Sequence, residues 1–239
     1  MKKENLDLHI KAYDKSQIYS YDMEIWMAWY VKRLKELLNG NSCLELGIGH
    51  GYTTETFSKF FEQYTVLEES SKIIERYKIR NPQSTIVAKQ EYFEDFQTTE
   101  KFDVILMGYV LEHVTDPEYI LNKYKLLLKE NGRIYVTVPN GSALNRRFGL
   151  KAGYIKSLDA MSEFDYTAGH KRTFTYESLI ELVNNFNLRI NKKEGIFLKC
   201  MSTAQMIQLN IPENIIQGMC EVAVDYPELA ACILLELKN

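Results

Sequence analysis

Cys43-Leu44-Glu45-Leu46-Gly47-Ile48-Gly49-His50-Gly51 is followed directly by Tyr52-Thr53-Thr54-Glu55-Thr56-Phe57. A short apolar run that breaks into alternating glycines and then into helix-forming residues is the pattern of a buried parallel strand turning into a helix beside a ligand. Glycine serves there for two reasons. A side chain would hold the ligand away from the peptide N–H groups, and a turn this tight often demands positive φ. The stretch predicts a backbone cradle within an α/β fold.

The departures from other glycine-rich loops narrow the ligand. No Lys-Ser or Lys-Thr follows Gly51, which excludes the phosphate-cradling loop of nucleotide hydrolases. The spacing is G-x-G-x-G and not the dinucleotide G-x-G-x-x-G, and Glu45 stands two residues before Gly47. A carboxylate aimed into the loop repels a pyrophosphate and suits an ammonium group. Glu45 to Gly51 resembles the first motif of the class I S-adenosylmethionine (SAM) dependent methyltransferases, whose loop holds the methionine part of the cofactor. The resemblance implies SAM as cofactor, with Glu45, Gly47, Gly49, Gly51, Tyr52 and Thr53 around it.

Composition bounds the rest. The chain has 239 residues, 46% hydrophobic and 26% charged, enough for one α/β domain with small additions. The expected organisation is a single domain over 1–239, with an N-terminal helical lid over 1–40 and acceptor-side insertions at 141–175 and 200–228. A net charge of -3 gives no electrostatic footprint for nucleic acid or an anionic membrane, so the expected partner is a small-molecule acceptor. Cys43, Cys200, Cys220 and Cys232 lack C-x-x-C spacing, which argues against a zinc site, and no metal is expected. No apolar run reaches transmembrane length and no signal peptide is recognisable. A cytoplasmic protein, monomer or homodimer, is expected.

Before the cradle, Ile25, Trp26, Trp29, Tyr30, Leu34, Leu37 and Leu38 recur at helical spacing, and Asn39-Gly40 ends that helix. Tyr13, Tyr19 and Tyr21 lie among polar residues outside the stripe and are candidates for a lid on the acceptor. After the cradle, a helix burying Phe57, Phe60 and Phe61 leads to a second strand, Tyr64 to Leu67, which ends in Glu68-Glu69-Ser70. An acid about 20 residues beyond a glycine loop is placed to bind both ribose hydroxyls. Glu68 is the first choice and Glu69 the alternative, because the related methyltransferases show an acid, any residue, then serine.

Ser84 to Ala88 reads as a third strand. Gln90, Glu91, Tyr92 and Phe93 then occupy the position where the family reads adenine, although the common Gly-Asp pattern is missing. Lys101 to Met107 is a continuous apolar fourth strand, as expected of a strand buried on both faces. Its end, Met107-Gly108-Tyr109, faces the cofactor at the carboxyl edge of the sheet. Val110 to Pro117 resembles the Leu-Glu-His element of the ubiquinone-biosynthesis and related small-molecule methyltransferases. His113 is either a hydrogen-bonder beside the cofactor or a catalytic group. Asp116 caps the next helix with Pro117 at its first position, and Ile120, Leu121, Tyr124, Leu127 and Leu128 face inward.

Asn131-Gly132 stops that helix and Arg133 to Val138 is the fifth strand. From Gly141 to Arg172 periodicity is lost, and a stretch this long without clear elements is usually functional. It carries Arg146, Arg147, His170, Lys171 and Arg172. Gly169-His170-Lys171-Arg172 resembles a stretch found in members that modify sugars or polar metabolites. His170 is the candidate catalytic base, with the cations holding an anionic group of the acceptor; the other reading has His170 capping a helix. A helix from Tyr176 to Asn185, a sixth strand between Leu188 and Lys199, helices broken at Pro212 and a last strand, Ala231 to Leu237, complete the chain.

The expected fold is therefore α/β: a Rossmann-like seven-stranded mixed sheet, its last strand antiparallel by family resemblance, with helices on both faces. The expected function is methyl transfer from SAM to an O or N atom of a polar small molecule such as a sugar or nucleotide-sugar. Two other readings share these features. An NAD-dependent oxidoreductase also uses a glycine loop and a ribose-binding acid, but Glu45 and the terminal strand count against it. A non-catalytic partner protein of the same fold would have lost the cradle.

Overall fold

The computed structural model describes residue 7 and residues 18–239, and the sheet is built around β4. In chain order the elements are α1 (Ser20–Leu37), β1 (Ser42–Leu46), α2 (Thr54–Phe57), which runs into a 3-10 turn (Ser58–Phe60), β2 (Gln63–Leu67), α3 (Ser71–Arg80), β3 (Ala88–Lys89), β4 (Phe102–Gly108) and α4 (Pro117–Lys125). There follow β5 (Leu128–Pro139), α5 (Leu144–Lys151), α6 (Glu163–Ala168), α7 (Tyr176–Asn184), β6 (Arg189–Ile196), α8 (Thr203–Leu209), α9 (Glu213–Ala223) and β7 (Cys232–Lys238).

Strand β4 shows why the sheet is covered twice. Val104 and Leu106 point into a cluster with Trp29, Tyr30 and Leu34 of α1, Met206 of α8 and Cys220 of α9. Ile105 and Met107 point the other way, onto Ile120, Leu121 and Tyr124 of α4 and Leu179, Leu182 and Val183 of α7. Alternation of side chains across a strand makes both layers out of one apolar run.

The seven strands run in the order β3-β2-β1-β4-β5-β7-β6. Pairs β2–β3, β1–β2, β1–β4 and β4–β5 are parallel, and β7 is antiparallel to both β5 and β6. The chain leaves β1 toward β2 on one side and returns to β4 on the other. This reversal opens a crevice at the carboxyl ends of β1 and β4, where ligands of such sheets bind.

Several elements follow the sequence closely. Asp116 caps α4, its Oδ1 accepting from the Tyr119 amide at 2.9 Å, with Pro117 in the first turn. Others differ. The third strand is only Ala88–Lys89, and Val87 is exposed at the sheet edge. Phe60 is exposed as well, because α2 tightens into a single 3-10 turn and loses its helical face. The break expected at Asn131-Gly132 lies inside β5, with Asn131 at φ 64 and Phe102 and Val104 of β4 pairing with Leu128 and Arg133 on either side of it.

Candidate active site

The crevice is floored by the cradle. Gly47 leaves β1 at φ 81 and donates its amide to Leu67 O at 2.8 Å; Gly49 follows at φ 54. A Cβ built on Gly49 meets nothing within 4 Å, so a side chain there would stand in the open pocket. Glu45 is buried beneath the loop and accepts from the hydroxyls of Thr53 and Thr54, both at 2.6 Å. Burial pushes its carboxyl up to about 7, against the pull of those hydrogen bonds. Glu68, at the end of β2, accepts from the Ile48 amide at 3.0 Å and the Ser70 amide at 2.9 Å. It too is raised by burial, with the amide bonds opposing. These amides fix the carboxylate toward the cavity, where each oxygen keeps a lone pair for a further donor.

The other end of the pocket forms where β4 stops. Tyr109 takes a left-handed conformation, φ 58, which costs a non-glycine residue energy and turns the chain sharply. Glu112 and His113 follow in that turn, the His113 amide donating to Val110 O at 3.0 Å. Glu112 is 2% exposed, and neither carboxylate oxygen meets a hydrogen-bond partner outside its own residue. Burial pushes its carboxyl up to about 7, while the charge of His170 opposes the rise.

His170 arrives from α6, and the local sequence explains how. Ser162 and Asp165 form a capping box at the start of that helix, and Gly169 ends it at φ 79. The His170 amide then bonds back to Asp165 O at 2.9 Å, and its Nδ1 lies 3.0 Å from Asp165 Oδ1. Next along, the Lys171 amide donates to the Glu112 carbonyl at 2.8 Å, clamping the two loops together. The His113 and His170 rings meet edge-on with centroids 4.7 Å apart. Burial pulls the His170 imidazole down, but the Asp165 bond and the negative charges of Glu112 and Asp165 outweigh it and raise its pKa. Asp165 is held at about 2: burial would raise it, and the bonds from His170 and Ser162 win.

The expected residues therefore divide. Glu45, Gly47, Gly49, Thr53, Glu68, Phe93, Gly108, Tyr109, His113 and His170 line one pocket. Gly108 is where Tyr30 approaches the backbone; a Cβ there would lie 2.6 Å from the Tyr30 hydroxyl. Gly51 sits outside the lining beside Tyr77, and Tyr52 is exposed, stacked on His50. Met107 is fully buried in the core, on the face away from α1. Glu69 and Ser70 do not line the pocket; Ser70 caps α3 through the Ile73 amide at 3.2 Å. Gln90 is exposed and donates to Glu69 O at 3.3 Å, and Glu91 and Tyr92 stay out of the lining.

The acceptor-side expectations need larger corrections. Arg146 donates to the carbonyls of Gly141, Leu158 and Ala160. Arg172 donates to those of Leu111, Val114 and Thr115. Arg147 holds Ser142 O at 2.6 Å, and Lys171 Nζ holds the Thr115 hydroxyl at 2.9 Å. These cations tie down loops, and none of the four lines the pocket. Tyr19 packs on Phe164 with centroids 4.4 Å apart, and Tyr21 joins the cluster under α1; Tyr13 lies outside the described residues.

What the sequence reading missed is a wall and a charge. Met23, Trp26, Met27 and Tyr30 of α1, with Phe164 and Ala168 of α6, line the pocket. The i, i+3, i+4, i+7 spacing of the α1 set is visible in the sequence, and a helical lid is expected over 1–40, but its candidates there are Tyr13, Tyr19 and Tyr21 and not these four residues. Glu112 is the acid of the Leu-Glu-His element, and the sequence pattern by itself assigns it no role. The segment 200–228 contributes no lining residue among the described ones.

A mixed sheet of this order, with its reversed seventh strand and a glycine cradle at the β1–β4 switch, defines the fold of the SAM-dependent methyltransferases. Residues 19–193 match the family described as "Methyltransferase domain", and the chain belongs to it. The "Ubiquinone biosynthesis O-methyltransferase" of Actinobacillus pleuropneumoniae serotype 7 (strain AP76) is 31% identical over 180 residues, 70% of this chain and 73% of the relative. That of Pelagibacter ubique (strain HTCC1062) is 26% identical over 159 residues, 64% of this chain and 63% of the relative. Among solved structures, a SAM-dependent methyltransferase from Mesorhizobium loti has a TM-score of 0.60 at 14% identity, covering 87% of this chain and 96% of the other. The N-methyltransferase NodS of Bradyrhizobium japonicum WM9, crystallised with S-adenosylhomocysteine, has a TM-score of 0.54 at 16% identity, over 88% of this chain and 84% of that one. The protein is an enzyme of the SAM-dependent methyltransferase class. No described helix is long and apolar enough to cross a membrane.

Proposed function

We propose that the chain moves a methyl group from SAM to a hydroxyl oxygen of a small molecule with an apolar, ring-sized body. The observation that carries this reading is the shape of the pocket's far end. Glu112, His113 and His170 bring one ligand atom each within 4.8 Å of one another, and the same pocket is lined by Met23, Trp26, Met27 and Phe164, so a few polar groups converge within a wall that suits an apolar frame. The curated relatives are named for O-methylation, which supports oxygen over nitrogen. The sugar-like, anionic acceptor expected from Arg146, Arg147, Lys171 and Arg172 loses its support, since those cations are bound to the chain itself.

The cofactor end fits SAM on its own geometry: an open cradle at Gly49 and a fixed, buried carboxylate at Glu68. SAM supplies an electrophilic methyl group on a sulfonium. In this reading the Gly47 and Gly49 backbone lies against the methionine part, Glu68 accepts from the ribose hydroxyls and Phe93 flanks the adenine. Helix α1 covers the cofactor as a lid. His113 and His170 hold the acceptor oxygen, with Asp165 fixing the His170 ring.

The test uses tritiated SAM with catechol and, in parallel, benzylamine as probes. Labelled O-methyl product from catechol is expected, and transfer to the amine alone would overturn the oxygen assignment. His170→Ala is expected to lower turnover by about 100-fold, the usual worth of one positioned proton-transfer or donor group. Its S-adenosylhomocysteine affinity should stay within about threefold, because the lost group acts at the acceptor.

A further inference from the structure

Three of the carboxylates around the pocket are satisfied by the chain. Glu45 has two threonine hydroxyls, Glu68 two backbone amides, and Asp165 has Ser162 and His170. Glu112 differs. It is as buried as Glu45 and Glu68 and lines the same cavity, yet neither oxygen has a partner outside its own residue. A buried acceptor left unmade costs free energy, more so when it is charged, so a site that keeps one is shaped for a donor brought by a ligand.

The surroundings say where that donor sits. One side-chain nitrogen or oxygen of each of Glu112, His113 and His170 lies within 4.8 Å of the others. A single oxygen atom placed among them at about 2.8 Å from each fits that gap with ordinary hydrogen-bond lengths. His170 cannot turn away, since Nδ1 is held by Asp165. It also lies between two carboxylates, an arrangement that favours the imidazolium, which is a donor at both nitrogens and has no lone pair to take a proton. Glu112, by contrast, keeps both carboxylate oxygens without a partner outside its own residue.

Building on the O-methylation reading, we propose that Glu112, and not His170, is the catalytic base, and that the His170 imidazolium is the donor that holds the acceptor oxygen. The hydroxyl donates to the Glu112 carboxylate while accepting from His170. As the oxygen forms its bond to the methyl carbon, the O–H bond breaks and the proton moves to a Glu112 oxygen, giving the neutral acid. The electron pair of the broken C–S bond stays with sulfur, and no other reactant is needed. A carboxyl poised near neutrality by burial suits this task at physiological pH. The charged and titratable groups facing Glu112 are His113 from its own turn, His170 and Asp165 from the end of α6, Arg172 just beyond, and Tyr109 and Cys232 from the strand ends.

Two measurements on the full chain test this, the first without any acceptor. Proton NMR titration of the histidines, assigned with His170→Gln and recorded with S-adenosylhomocysteine bound, is expected to show His170 titrating above the ordinary value of about 6.5. Glu112→Gln should lower that pKa by about one unit, the mark of two directly interacting sites. A His170 that titrates below the ordinary value would be the neutral base itself and would overturn the proposal. The second is turnover on catechol. Wild-type turnover should rise with pH through a limb near 7, and Glu112→Gln should lose the limb and about 100-fold in kcat, with S-adenosylhomocysteine affinity within about threefold. Glu112→Asp should restore part of the rate if the carboxylate is the base. Should Glu112→Gln fail to melt cooperatively, Asp165→Asn, which leaves Glu112 in place, must lower the His170 pKa for the proposal to stand. Unchanged turnover in Glu112→Gln, or a stoichiometric divalent cation in wild type that this variant loses, would overturn it. Wild type that binds S-adenosylhomocysteine and ignores catechol fails the hydroxyl reading, while the titration still decides the state of His170.

Discussion

The two ends of the pocket handle charge in opposite ways. At the cradle, Glu45 and Glu68 are buried and each carboxylate oxygen already accepts one hydrogen bond from a residue within the same β1–α3 segment. At the far end, Glu112 is buried and unsupplied, and the groups around it come from α6 and the chain just beyond it. An end that meets one invariant ligand can be finished by the chain itself. An end that must bind an oxygen, take its proton and let the product go has to leave hydrogen-bonding capacity open.

The sharpest way to break this contrast is at the finished end. Gly49→Val adds a branched side chain into open pocket space at φ 54, a conformation that valine adopts only under strain. S-adenosylhomocysteine affinity should fall by about 100-fold or more, on the order of 3 kcal/mol, in calorimetry, with circular dichroism showing a folded protein. Unchanged affinity would mean that the cradle does not face the cofactor.

The second prediction reads the buried acids at both ends together. Glu45 and Glu112 have carboxyls pushed up to about 7 by burial. Between an ordinary carboxyl pKa near 4.3 and 7 the folded state therefore holds protons the unfolded state has lost, and stability falls as pH rises. His170, raised by Asp165 and Glu112 against the opposing effect of burial, contributes stability below its unfolded pKa that is lost as pH rises through the folded one. Asp165 and Asp103, held at about 2, act with the opposite sign, but only below about pH 4. The apoprotein should be most stable near pH 4 to 5. By pH 8 it should have lost on the order of 3 kcal/mol per raised carboxyl, at 1.4 kcal/mol per pKa unit. Urea midpoints at pH 5 and pH 8 check this; a higher midpoint at pH 8 would mean that the carboxyls are ionised without penalty.

The third prediction is smaller and sharpens the register of the ribose site. Glu68→Ala should weaken SAM by about 1.5 to 3 kcal/mol, the worth of hydrogen bonds to a charged group. Glu69→Ala should leave the affinity within about twofold, since Glu69 lies outside the lining.

How much of this was legible follows from the same contrast. The glycine loop, an acid at the end of β2 and the succession of strands along the chain were readable because their signals are local: a contiguous glycine motif, an acid after an apolar run, and apolar runs such as 101–107. The far end is assembled from residues 23–30, 109–113 and 164–170, and no spacing in the sequence announces that they meet. Helices α5 and α6 hold no buried residue, so they carry no hydrophobic period to detect. Lone cations, Arg146 and Arg172 above all, looked like ligand binders. An arginine whose N–H groups serve backbone carbonyls has the same sequence signature as one that serves a substrate.

The smallest expected effect tests that last point. Lys171 was a candidate for holding an anionic group on the acceptor. Its side chain is exposed and its Nζ lies 2.9 Å from the Thr115 hydroxyl, while the bond that matters to the site, from its amide to the Glu112 carbonyl, belongs to the backbone. Removing the side chain leaves that clamp in place. Lys171→Ala should therefore change stability by no more than about 0.5 kcal/mol, as ordinary surface substitutions do, and turnover on catechol by less than about twofold. Lys171→Pro removes the amide and should uncouple the two loops, costing turnover while sparing S-adenosylhomocysteine affinity. A tenfold loss in the alanine variant, with cofactor affinity intact, would extend the acceptor site outward to the cation. It would also bring back an acceptor with an anionic group, at the expense of the contrast between a finished end and an open one.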